Sequence, residues 1–156
     1  MRLRFCGLRE EKNLRGERLI MQEVMDKKTE QMVSHMMLDM GVPAHLKGYR
    51  YVRAAVLMAE EDMKVVGSVT KLLYPEIAKR YNTTDGKVER AIRNAIEISW
   101  ERGNKKTFEQ LFGYCAESGQ GRPTNSEYIA AIADCIRMQV NQENQKEEKS
   151  QEDFNG

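Results

Sequence analysis

Between Ile77 and Ile92 the chain sets apolar or small residues at Ile77, Ala78, Tyr81, Val88, Ala91 and Ile92, with Asn82-Thr83-Thr84 in the gap. Few structures satisfy that spacing. Ile77, Ala78 and Tyr81 fall at i, i+1 and i+4, which is one stripe of a helix. Ala78 is small where two helices must cross closely. Asn82 stands where a tight turn needs left-handed backbone, a conformation Asn tolerates better than most non-glycine residues. Thr83 or Thr84 can then cap a second helix by accepting from a free backbone N–H. On that helix Val88, Ala91, Ile92, Ala95, Ile96 and Ser99 form the inward stripe, and the helix is predicted to run from Thr84 to about Arg102. This is the spacing of a helix-turn-helix, although an ordinary helical hairpin with a solvated face shares it.

The residues left on the outer face of the second helix are Lys87, Glu89, Arg90, Arg93 and Asn94. Whole-chain charge is only +1, but it is unevenly spread. Residues 64–106 carry 10 Lys+Arg against 5 Asp+Glu, whereas residues 141–156 carry 2 against 5. The basic excess coincides with the helix pair, as phosphate binding requires.

A chain of 156 residues makes one modest domain whose core needs no staples. The start, Met1-Arg-Leu-Arg-Phe-Cys, meets charge too soon for a secretory signal core, and no apolar run approaches the roughly 20 residues of a membrane span. Cys6, Cys115 and Cys135 are sparse, odd in number and free of any C-x-x-C spacing. That usage predicts free thiols, a reducing compartment and a cytoplasmic, nucleoid-associated protein.

No segment alternates like a strand. Residues 1–28 are expected to be an extension, partly helical or disordered, in which only Leu14, Leu19, Ile20, Val24 and Met25 hint at a helix. From Thr29 to Met40, Met32, Val33, Met36, Met37 and Met40 share a face, closed by Gly41 and Pro43. A second helix is predicted from about Pro43 or Ala44 to Glu61, with Leu46, Tyr49, Val52, Ala55, Val56 and Ala59 inward. Val65 to Ser68 read as a turn, and Pro75 as a helix start or bend. Thr107 to Phe112 make a short helix stopped by Gly113, and Glu117 to Pro123 a loop. Thr124-Asn-Ser-Glu127 is a capping box for a last helix with Ile129, Ile132, Ala133, Ile136 and Val140 inward. Residues 141–156 read as a disordered polar tail. The fold class is therefore all-α, a compact bundle of about six helices containing a helix-turn-helix, with the effector domain at 29–140.

Longer motifs carry a resemblance. Gly41-Val-Pro-Ala-His-Leu-Lys-Gly-Tyr49, Leu73-Tyr-Pro-Glu-Ile-Ala-Lys-Arg-Tyr-Asn-Thr-Thr84 and Val88-Glu-Arg-Ala-Ile-Arg-Asn-Ala-Ile-Glu97 resemble the C-terminal DNA-binding domain of the sporulation master response regulators, the stage zero sporulation protein A family. Trp100-x-Arg-Gly-Asn104, Leu111-Phe-Gly-Tyr114 and Pro123-Thr-Asn-Ser-Glu127 extend it in the same order, over roughly Thr29 to Met138. The resemblance implies a helical effector that binds short promoter boxes and contacts RNA polymerase, with a possible homodimer on tandem sites. It also implies that Glu89, Arg90 and Arg93 face the DNA. Asn94 stands where well-known members carry His. The family joins this domain to a phosphoacceptor receiver, for which residues 1–28 are too short, so phosphorylation-driven dimerisation is not expected within this chain.

Base contacts are expected from Glu89, Arg90, Arg93, Lys87 and Asn94, and phosphate contacts from Lys71, Lys79, Thr83 and Thr84. Arg90 and Arg93 can each present a bidentate fork to guanine O6/N7. Glu89 can accept from a cytosine amino group or orient Arg93 at i+4, the alternative being a surface ion pair. His35 and His45 lack companions at metal spacing, Gly119-Gln-Gly121 lacks the strand–helix context of a nucleotide loop, and no catalytic arrangement emerges. No enzyme activity, metal, cofactor or membrane partner is expected; the partner is double-stranded DNA. The rival is a protein-interaction module or antagonist that binds polymerase or a full-length relative.

Overall fold

A computed structural model describes residues 3–155, with side chains from Leu14 onward, so the Cys6 side chain lies outside the described ones. Six α-helices follow in order: α1 (Leu3–Asp39), α2 (Lys47–Glu61), α3 (Tyr74–Arg80), α4 (Asp85–Arg102), α5 (Lys105–Phe112) and α6 (Asn125–Asn155). A 3-10 turn (Met63–Ser68) and a π turn (Val69–Leu73) connect α2 to α3. No strand occurs among the described residues. The all-α expectation holds.

The helix ends follow local chemistry. Gly41 takes φ +70° after α1, and Gly113 takes φ +78° after α5, the left-handed backbone expected at both stops. Pro75 sits in the first turn of α3, where its missing N–H has no partner to lose. At the start of α6 the capping box closes in both directions. The Thr124 N–H donates to the Glu127 carboxylate at 3.1 Å, and the Glu127 N–H donates to the Thr124 hydroxyl at 3.2 Å. The second helix begins at Lys47 rather than at Pro43 or Ala44, because Val42 to Leu46 form a turn closed by Leu46 N–H to the Pro43 carbonyl at 3.2 Å.

α2 is the central strut and packs against both α4 and α6. Tyr51, Val52, Ala55, Val56 and Ala59 of α2 meet Val88, Ile92, Ala95 and Ile96 of α4 and Ile129, Ile132, Ala133 and Ile136 of α6 in one core. The closest crossing lies at Gly48. A Cβ there would stand 2.2 Å from the Ala91 carbonyl oxygen and 2.8 Å from the Ala95 methyl. Ala78 is buried too, but the residue that the tightest approach requires is Gly48. Val33, Met37 and Met40 close the core from α1, so the methionine stripe is packing.

One polar knot is buried inside. The Ser99 hydroxyl donates to the Met40 carbonyl, which leaves the Tyr128 hydroxyl, 2.7 Å away, to donate to Ser99 Oγ. Burial pushes the Tyr128 phenol well above its ordinary pKa, with the Ser99 bond opposing in part. The knot ties the turn after α1 to α4 and α6, and all three residues are fully buried.

Two segments differ from the sequence expectation. Residues 3–28 are helical and continue into the methionine stripe as a single helix, α1. α6 likewise runs through the segment expected to be a disordered tail and ends at Asn155. The physical reason is the same in both. Neither stretch contains proline; residues 3–28 are rich in Arg, Glu, Lys and Leu, and residues 141–155 in Glu, Gln and Lys, all of high intrinsic helix propensity. They also brace each other: the Lys28 ammonium lies 2.6 Å from Glu143 and 3.6 Å from Glu147.

Candidate nucleic-acid interface

α3 and α4 are joined by Tyr81 to Thr84, and the turn is built as its residues dictate. Asn82 is the one non-glycine residue at positive φ (+49°) among the described residues. The Thr84 hydroxyl accepts from Lys87 N–H at 3.4 Å and caps α4. Thr83 N–H closes onto the Ala78 carbonyl at 2.9 Å. Tyr81 is 40% exposed and leaves the inner stripe, with its ring set edge-on to Tyr51 at 5.1 Å.

Val88, Ile92, Ala95, Ile96 and Ser99 bury one side of α4. With 3.6 residues per turn, Lys87, Arg90, Arg93 and Asn94 then share the opposite side, spread over roughly a third of the circumference. All four are exposed. Glu89 stands at the edge of that face with 31% of its side chain exposed and forms an ion pair with Arg93. Sequence spacing left Glu89 as either a base reader or a partner for Arg93, and the structure shows the pairing. Lys87 and Arg90 form no ion pair among the described residues. Lys71, in the π turn, and Lys79, on α3, are exposed and equally without an ion pair among the described residues, as is Arg102 at the far end of α4, away from the turn. Thr83 is half-buried, and Thr84 is exposed with its oxygen engaged in the cap.

The structure adds residues that local pattern did not single out. Asn125, inside the capping box of α6, donates from Nδ2 to the Tyr74 hydroxyl at 3.0 Å and to the Glu89 carbonyl at 3.3 Å. It thereby clamps α3, α4 and α6 beside the exposed face. Burial raises the Tyr74 phenol above its ordinary pKa, and the Asn125 bond opposes this. Arg122 pairs with Glu97 at 2.5 Å, next to a polar cleft that Tyr74, Arg93 and Asn125 also line. Sequence separation hid these partners: Tyr74 and Asn125 are 51 positions apart. No group of His, Cys, Asp and Glu among the described residues is arranged to hold a metal ion, and no described helix is long and apolar enough to cross a membrane.

With this geometry in view, comparison with known families places the chain in the class of DNA-binding transcription factor domains, not in an enzyme family. Residues 33–136 match the family described as Sporulation initiation factor Spo0A C terminal, and the chain belongs to that family, whose members are DNA-binding effector domains of a sporulation regulator. The matched span begins at Val33 and ends at Ile136, which are the first and last buried residues described. The family match is the buried core with its loops. The two helical extensions lie outside it.

Proposed function

We propose that the chain is a sequence-specific DNA-binding transcription regulator that reads a short promoter box with α4 in the major groove. The carrying observation is the one outward face of α4 on which Lys87, Arg90, Arg93 and Asn94 stand together behind a capped, left-handed turn. Arg90 reads a guanine through O6/N7, and Arg93, held in orientation by Glu89, reads or braces the neighbouring position. Lys87 and Asn94 complete base contact. Lys71, Lys79, Thr83 and Thr84 seat the head on phosphates, Thr84 through the helix start that it caps. RNA polymerase is the second partner, tandem boxes can be filled by two copies, and the working location is the nucleoid.

The test is binding to a labelled promoter duplex carrying the family's box and to random duplex, each across a salt series. Tight, box-selective binding with a steep salt dependence is expected. Lys79→Ala should flatten the salt slope by about one on every sequence, whereas an unchanged slope removes Lys79 from the phosphate set. Polymerase binding with no affinity for either duplex would establish the interaction module instead.

A further inference from the structure

We propose that the outer half of α1, together with the outer half of α6, forms a surface on which a second copy of this chain docks, giving a dimer that does not depend on DNA. From Leu14 to Gln31 no side chain of α1 is buried. Yet this stretch carries Leu14, Leu19, Ile20, Met21 and Val24, each 53–71% exposed. Those five side chains fall within about 15 Å of helix at 1.5 Å per residue. Leu14, Ile20, Met21 and Val24 share one side of the helix, with the half-buried Met25 at its edge. A contiguous apolar side of this kind marks an interaction surface, unlike single exposed leucines.

The chain's own α6 does not cover it. α6 lies alongside α1 at this level, but the residues that it turns into the shared groove are Glu143, Asn144 and Glu147 beyond Val140. Glu143 and Glu147 serve Lys28, whose ammonium is held in its charged form chiefly by the hydrogen bond to Glu143. Further out, Phe154 continues the helical side of Ile129, Ile136 and Val140 and is 90% exposed. Met21 and Val24 share that groove with Val140 yet stay more than half exposed, while Leu14, Leu19 and Ile20 of α1 and Phe154 of α6 lie outside it.

Charge identifies the occupant. Residues 1–28 carry 8 Lys+Arg and 5 Asp+Glu, and residues 141–156 carry 2 and 5. The outer part of α1 is thus on balance basic and the outer part of α6 acidic, and the two nearly cancel. Two copies related by a two-fold axis can set each basic helix against the acidic helix of the other while the apolar sides meet. The 64–106 segment, with 10 cations to 5 anions, would instead repel its own copy. A neutral surface is also a poor match for phosphate. The dimer stands whether or not α4 reads DNA.

The experiment is light scattering or sedimentation of the full chain over a concentration series, with no DNA present. Wild type is expected to approach twice the 18.0 kDa chain mass as concentration rises. The double variant Ile20→Glu/Val24→Glu is expected to stay at the single-chain mass, with unchanged helical circular dichroism and unchanged binding to a single-box duplex. Because charge can also disturb a helix, Ile20→Cys provides a second reading: mild oxidation should link two copies covalently. A wild type that is monomeric throughout overturns the proposal, as does a double variant that dimerises like wild type. Binding of the monomeric chain to neutral phosphatidylcholine vesicles through Ile20 and Val24 would also overturn it, in favour of a lipid surface.

Discussion

The helix pair α3–α4 and the extension formed by α1 and α6 use the same element and leave opposite things exposed. In the pair, Ile77, Val88, Ile92 and Ile96 are inside, while Lys79, Lys87 and Arg90 are outside without protein partners. In the extension the charges are partly matched, Lys28 to Glu143 and Lys27 to Glu23, and the large apolar groups face outward. What a helix leaves unmatched indicates what it awaits. Unmatched cations above a packed core suit a polyanion; unmatched Ile and Val beside matched charges suit protein.

The largest effect that could break this contrast is on stability. Ile92→Ala removes a fully buried side chain at the α2–α4 contact and should cost about 2–5 kcal/mol. Ile20→Ala, measured where the chain is monomeric, should stay within about 0.5 kcal/mol of wild type. Denaturant melts of both variants check the pair, and equal losses would show that the extension is part of the core. A smaller effect sharpens the first region alone. Thr84→Ala should cost roughly 0.5–1 kcal/mol, the low end for a cap, because the bond to Lys87 N–H is long at 3.4 Å.

The smallest expected effect lies where the two regions meet. Burial pushes the Glu60 carboxyl above its ordinary value, Glu61 and Asp26 add to this, and Arg137 opposes it. A folded chain that holds this proton more tightly than the unfolded one gains stability below the ordinary carboxyl range and loses it as pH rises through the raised value. Glu60→Gln should therefore melt slightly higher than wild type at neutral pH, and the gap should close in acid. A gap that widens on acidification would reverse the sign assigned to Glu60.

The contrast also separates what sequence could reveal from what it could not. The α3–turn–α4 unit was legible because each of its constraints is local: an apolar stripe, Asn82 at positive φ, a threonine cap. The same is true of Gly41, Gly113 and the Thr124–Glu127 box. The outer halves of α1 and α6 were harder to read as helix: in α1 the apolar side is short and set among charges of both signs, and residues 141–155 offer only Phe154 to the apolar period on which pattern reading relies. Gly48 against Ala91, Ser99 with Tyr128, and Asn125 clamping Tyr74 to the Glu89 carbonyl pair residues far apart in the chain. On the α4 face, spacing was enough to show that Lys87, Arg90, Arg93 and Asn94 share a side. It could not show that Glu89 would be held by Arg93.

Base reading by α4 is tested most directly by the affinity of Arg90→Ala for a specific box and for random duplex at one salt concentration. Loss of about 1–3 kcal/mol on the box, with relaxed preference at one base pair and a much smaller change on random DNA, is the predicted result. Equal weakening on both duplexes would contradict it and reduce Arg90 to a phosphate contact.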